Sequence, residues 1–190
     1  MSRAYKIKIK QSARHVLRAS DHVSTKLELL EILPPERMAD LLANELAKRG
    51  FKMQGEKLTR ETKDGVIIEI DPLQATVMVR AETKQTVTIE GERQTWSERP
   101  PEGKQQEHER DKLRQQLLDD LQRQAAEQKA QLQKSVTDRL EGHLMDLRKE
   151  LDAAVNRVTA DALKEKAAQM GQIKSLTEDE TGSLTIVLEV

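Results

Sequence analysis

The chain has 190 residues, with 32 basic and 33 acidic side chains and a formal net charge of −1. Hydrophobic residues make up 36% and charged residues 34%, whereas globular chains average about 45–50% (a figure that also counts glycine) and about 25%. The charge balance argues against a globally basic nucleic-acid binder, and the lack of cysteine excludes thiol nucleophiles, disulfides and Cys-ligated metals. The low apolar content predicts that part of the chain is a helical rod, in which a narrow apolar stripe suffices.

Targeting signals are not apparent in the sequence. No apolar run approaches the roughly 20 residues of a membrane span, and the charged N-terminus lacks the apolar stretch of a signal peptide. We therefore expect a cytoplasmic protein without a membrane span.

The N-terminal segment alternates apolar and basic side chains with a period of two, which predicts a half-buried strand. Its polar side carries a row of lysines, Lys6, Lys8 and Lys10. Further strand signals lie at 14–19 and 22–30, separated by a predicted turn at Asp21–His22.

Residues 34–50 carry the clearest helix signal. Pro34 and Pro35 suit the first turn, apolar residues recur at helical spacing, and Gly50 suits the position after the last turn. Short strands follow, with turns at Lys63–Gly65 and Asp71–Pro72, and Gly91 is predicted to end the last strand. Six or seven short strands around one helix predict an α+β domain with an antiparallel sheet over residues 1–96.

Beyond residue 96 the composition changes twice. Residues 97–104 contain two prolines and a glycine and predict a linker, whereas 105–170 are rich in helix formers and predict a long helical segment. Apolar residues recur about every 3.8 positions from Leu113 to Ala162, above the 3.5 of a heptad. Either the apolar stripe drifts around one helix, or the segment consists of more than one helix. We favour a hairpin or coiled-coil-like segment broken near 135–142. Residues 171–190 predict a β-hairpin that docks on the first domain or on the helix.

Catalytic signatures are missing from the sequence: it contains no phosphate-binding glycine loop, nucleophile elbow or H-E-x-x-H pair. We expect no enzymatic activity, no cofactor and no metal. The candidate partner-binding residues are Lys6, Lys8, Lys10 and Trp96. The lysines suit an anionic partner but also suit the protection of an exposed strand edge. Trp96 suits either an anchor between helix and sheet or a partner contact.

Several stretches resemble a known family. They are residues 1–10, the run from Asp21 to Pro34, the helix Glu36–Leu42, and the tail from Ala162 to Gly171 and from Ser183 to Val190. Together they resemble small accessory domains of bacterial FtsH ternary systems. The resemblance implies a non-enzymatic adaptor that works beside an FtsH-like AAA+ ATPase, and it assigns no functional residues.

Two functional hypotheses follow. The first is an accessory protein that contacts a protein partner, with homo-oligomerisation through the helical segment as a further expectation. The alternative is a binder of nucleic acid or anionic surfaces through the basic N-terminal strand, although the net charge does not favour nucleic acid. A small hydrolase is the least favoured interpretation.

Overall fold

The computed structural model describes residues 5–97, 104–178 and 184–189. Most of the predicted linker, residues 98–103, lies outside the described residues. The fold is α+β with an antiparallel sheet, as the sequence predicts. In chain order the elements are β1 (Tyr5–Lys26), α1 (Pro35–Lys48), β2 (Lys52–Gln54), β3 (Lys57–Glu61), β4 (Val66–Asp71), β5 (Thr76–Ser97), α2 (Lys104–Met170), β6 (Gln172–Glu178) and β7 (Leu184–Glu189).

The first five strands form one sheet in the order β1-β5-β4-β3-β2, which leaves β1 and β2 at its edges. Antiparallel register places Leu58 opposite Ile70 and Ile68 opposite Val79, so apolar side chains line one face. Strands β6 and β7 pair with each other in a separate antiparallel sheet, which confirms the C-terminal hairpin. The docking of this hairpin on another element stays a prediction.

The edge strand β1 is longer than the sequence predicts. It runs through Asp21 and His22, where the sequence predicts a turn, and ends at Lys26 rather than at residue 30. The Asp21 carboxylate accepts hydrogen bonds from the Thr137 hydroxyl at 2.7 Å and from the His22 backbone N–H at 2.9 Å. Aspartate favours turns because it bonds to nearby backbone, but here the Thr137 hydroxyl of α2 and the next backbone N–H bond to it within an extended strand.

Strand β5 also continues where the sequence predicts an end. It passes through Gly91, at which a Cβ atom would lie 2.6 Å from Leu117 Cδ1 and 3.2 Å from Leu121 Cδ2. Glycine in a strand often marks a close approach of another element. The glycine therefore allows α2 to pack closely on the strand and does not end the strand. The described part of residues 1–96 contains five strands, where the sequence predicts six or seven.

The long helical segment is a single helix of 67 residues, so the break predicted near 135–142 is wrong. Gly142 costs a helix only about 0.5–1 kcal/mol relative to alanine, and the turn before it is held by Val136 and Leu140, which are at most 1% exposed. Within the described residues, neither helix combines the length and the apolar composition needed to cross a membrane.

The chain divides into two compact units. One comprises Met1–Ser20 and Glu82–Val136, and the other comprises Asp21–Ala81 and Thr137–Val190. In the first unit Ile89, Leu117 and Leu121 form a core cluster, against which four partly buried side chains pack: Ile9, Ala13, Val87 and Ala125.

The second unit buries the inner face of the sheet together with α1 and part of α2. Its buried side chains include Leu42, Leu46, Leu58, Val66, Ile68, Ile70, Val77, Leu140, Leu151, Ala154 and Val158. The apolar stripe that the sequence predicts on the helix is thus buried within the chain. Ala154 is buried in place of the predicted Val155, because the stripe drifts around the helix.

Helix α1 ends as its sequence predicts. The N–H of Phe51 bonds to the Leu46 carbonyl at 3.1 Å and the N–H of Gly50 bonds to the Ala47 carbonyl at 3.1 Å. These two bonds define a Schellman motif, which needs a left-handed residue, and Gly50 has φ +87°. The cap fixes Phe51 at 3% exposure at the entry to β2.

Candidate partner-binding surface

The candidate residues of the sequence lie together in the first unit. Lys6, Lys8 and Lys10 lie on β1, and Trp96 lies on the neighbouring strand β5. Ile7, which alternates with the lysines, is 5% exposed. The predicted alternation is therefore confirmed, and the lysines occupy the outer face of the sheet edge.

Part of this lysine row is already neutralised within the unit. The ammonium of Lys8 lies 2.6 Å from one Glu92 carboxylate oxygen, and that of Lys10 lies 3.3 Å from the other. Hydrogen bonding from Lys8, and to a smaller extent from Lys10, holds the pKa of Glu92 below its ordinary value. Sequence reasoning missed this pairing because Glu92 is far away along the chain.

Trp96 lies on the surface of the sheet. Its side chain is 61% exposed, and the ammonium of Lys6 lies 5.5 Å from the centre of its ring. A cation over an exposed indole is worth about 0.5–1 kcal/mol. This exposure favours the partner contact over the anchoring interpretation, since most of the side chain is open to solvent.

Three further cations on this face have no ion-pair partner among the described residues. They are Arg14 and Arg18 of β1 and Lys84 of β5, all exposed. Arg18 and Lys84 line one shallow recess of about 490 Å³ together with Ala19, Ser20, Glu82 and Thr83. The sequence identifies Arg14 and Arg18 as part of a basic N-terminus, but it does not reveal that strand pairing adds Lys84.

A charged cluster in the second unit ties the sheet to α2. The guanidinium of Arg60 bonds both carboxylate oxygens of Glu150, at 2.7 and 2.6 Å, and also donates to the Arg49 carbonyl at 2.9 Å. It stacks over Phe51 at 4.2 Å from the ring centre. Hydrogen bonding from Arg60 lowers the pKa of Glu150. Every group in the cluster has a partner, so its role is to hold the fold.

The second unit also contains an open groove of about 700 Å³ between β1, β5 and α2. Its aliphatic walls include Val23, Val77, Val79, Leu147 and Leu151. Charged side chains of both signs line the groove as well: Lys26, Glu28, Arg148 and Asp152. This mixture offers apolar contact without selecting one sign of ligand.

Histidines and carboxylates do not converge in the part of the chain that the structure describes. No group of three or more His, Asp or Glu side chains there is placed to hold a metal ion. His143 instead lies 3.1 Å from one Asp64 carboxylate oxygen, and Arg139 donates to the Asp64 carbonyl at 2.9 Å. These contacts fasten the β3–β4 turn to α2.

Comparison with known proteins identifies one family. The family model described as FtsH ternary system domain X5 matches residues 1–190, which is the whole chain. The match confirms the resemblance seen at both ends of the sequence and in the helix near residues 34–50. No curated protein and no solved structure matches the chain.

Proposed function

We propose that this chain, which belongs to the FtsH ternary system domain X5 family, is a non-enzymatic accessory protein of such a system. It contacts a protein partner, and the partner we propose is the FtsH-like AAA+ ATPase that gives these systems their name. The observation that carries the proposal is the family match over the whole chain.

The outer face of the first unit supports a role in protein contact. It presents exposed Trp96 on β5 and, at the sheet edge, Arg14 and Arg18, which form no ion pair within the described part of the chain. Tryptophan and arginine are among the residues most enriched at the energetic centres of protein interfaces. A surface of this kind needs no catalytic group to be useful.

The two other expectations receive less support. Lys8 and Lys10, which are central to the nucleic-acid alternative, are paired with Glu92 and have less free charge for phosphate. Homo-oligomerisation through the apolar stripe of α2 would require Leu117, Leu140 and Leu151 to leave the cores they occupy. We therefore carry neither into the proposal.

The test is crosslinking and affinity purification of the tagged chain from its native host. We expect specific enrichment of an FtsH-like AAA+ protein, confirmed by reconstituting the complex from two purified proteins. The control is the same tag on an unrelated protein of similar size and charge. Recovery of the chain alone, together with no complex on reconstitution, would overturn the proposal.

A further inference from the structure

We infer that β1 from Arg14 to Arg18, with Lys84 of β5 adding to the local positive charge, binds an acidic, extended segment of a protein partner. The inference rests on the proposed accessory function. It adds the location of the contact and the chemistry of the segment that fits it.

The first step is the pattern along β1. Because side chains alternate along a strand, Arg14, Val16 and Arg18 point to the same side and follow each other at roughly 6.6 Å. Val16 is 53% exposed although it is a large aliphatic residue. The strand therefore presents a cation, an apolar side chain and a second cation in a straight row.

The second step is the charge that remains free. On the same strand Lys8 and Lys10 share Glu92, and Lys6 lies over Trp96. By contrast, the described residues give Arg14 and Arg18 no carboxylate partner. Lys84 lines the same recess as Arg18, together with Glu82, for which the described residues show no ion pair with either cation, so the recess holds two cations and one carboxylate. Arg14, Arg18 and Lys84 are therefore cations of this face that have no carboxylate partner among the described residues.

The third step is the sheet edge. Strand β1 is an edge strand, so an extended segment can lie beside it and place its own side chains opposite those of β1. Facing side chains in such a pair are about 4.5–5.5 Å apart. The complementary segment carries acidic residues two positions before and two positions after an apolar residue.

The fourth step selects protein over nucleic acid. The outer face of the two strands also carries acidic residues among its cations: Glu82, Glu90 and Glu92. A phosphate backbone has a charge at every nucleotide and would meet these carboxylates as well as the cations. A peptide, by contrast, can carry acidic residues at the two positions that face Arg14 and Arg18 and at no others.

The experiment measures fluorescence anisotropy of labelled probes against the full chain. The peptide probe is a run of threonines with a central leucine and glutamates two positions to either side. The control peptide has the same composition with its two glutamates adjacent. A poly-thymidine single strand of similar length is the third probe. We expect the spaced peptide to bind more tightly than both, with affinity that falls as salt is raised.

Two variants with equal charge change locate the contact. Arg14→Gln with Arg18→Gln is expected to weaken peptide binding by roughly tenfold, the effect of losing two surface charge contacts. Lys8→Gln with Lys10→Gln changes the net charge equally but removes cations that are already paired, so binding is expected to stay within about twofold. Circular dichroism checks that both variants fold.

Each other outcome contradicts the inference. Equal loss in both variants would show a diffuse charge effect, and tighter binding of the DNA would show a nucleic-acid surface. If the spaced peptide does not bind, the role left for these cations is to protect the exposed strand edge. If the variant Arg14→Gln with Arg18→Gln captures as much host ATPase as the unmodified chain does, the accessory role is supported but this surface is not the contact. If the unmodified chain captures no partner, the proposed function fails first.

Discussion

Arg60 on β3 and Glu150 on α2 form a two-pronged ion pair, with both guanidinium NH₂ groups within 2.7 Å of a carboxylate oxygen. The two residues are 90 positions apart in sequence. Their side chains are 24% and 27% exposed, so solvent screens the pair only in part. Bidentate arginine–carboxylate pairs combine charge with fixed geometry, so this contact is a strong polar connection between sheet and helix in the second unit.

The first prediction is that Glu150→Ala destabilises the second unit. Removing the carboxylate leaves the half-buried guanidinium of Arg60 without its anion, which costs about 1–3 kcal/mol in the free energy of unfolding. Urea denaturation followed by circular dichroism measures the change. The control is Glu165→Ala, which breaks the more exposed pair with Arg37 and is expected to cost less. An equal or larger loss for Glu165→Ala would contradict the ranking.

The second prediction concerns pH. Because hydrogen bonding from Arg60 lowers the pKa of Glu150 below its ordinary value of 4.5 in the folded state, the carboxylate stabilises the fold at pH values above about 4.5. That contribution is lost as the pH falls through the lowered pKa of the folded state. The difference in unfolding free energy between the unmodified chain and Glu150→Gln is therefore expected to be full at pH 7 and to shrink under acid conditions. A difference that grows on acidification would contradict the assignment.

The sequence predicts local features of this fold well. Helix α1, the β3–β4 turn at Asp64–Gly65 and the outward lysines of β1 each depend on residues close in sequence: proline at a helix start, glycine in a turn, and alternation in a strand. The structure confirms all three. Short-range chemistry suffices for them because their hydrogen bonds and steric limits involve neighbours along the chain.

The features that the sequence does not predict depend on distant partners. Asp21 has the chemistry of a turn residue, but the Thr137 hydroxyl binds it within a strand, and Gly91 has the chemistry of a strand end, but α2 packs on it. The lysine row suggests free charge, but Glu92 pairs with two of its members. In each case a residue that is far away in sequence supplies the interaction that decides the conformation or the charge.

The third prediction tests the contact of Gly91 with α2. A Cβ at this position would lie 2.6 Å from Leu117 Cδ1, and Leu117 is 1% exposed and has little room to move. Gly91→Val is expected to lower the free energy of unfolding by about 1–3 kcal/mol, the usual cost of overpacking a core. Thermal unfolding measures the loss, and the double variant with Leu117→Ala separates the causes. If the clash is responsible, the double variant loses less than the two single losses added together.

The last prediction tests the continuity of α2 at Gly142. The glycine lies inside the helix and is exposed, and a Cβ atom added to it would meet no other atom within 4 Å. Gly142→Ala is therefore expected to stabilise the chain by about 0.5–1 kcal/mol, because alanine loses less backbone entropy in a helix and meets nothing. Gly50→Ala serves as the matched control, since Gly50 also has open space but lies at φ +87° and is expected to lose stability on substitution. Urea denaturation of both variants measures whether each substitution raises or lowers the free energy of unfolding. A loss of stability in Gly142→Ala would indicate a turn at this position, as the sequence alone predicts.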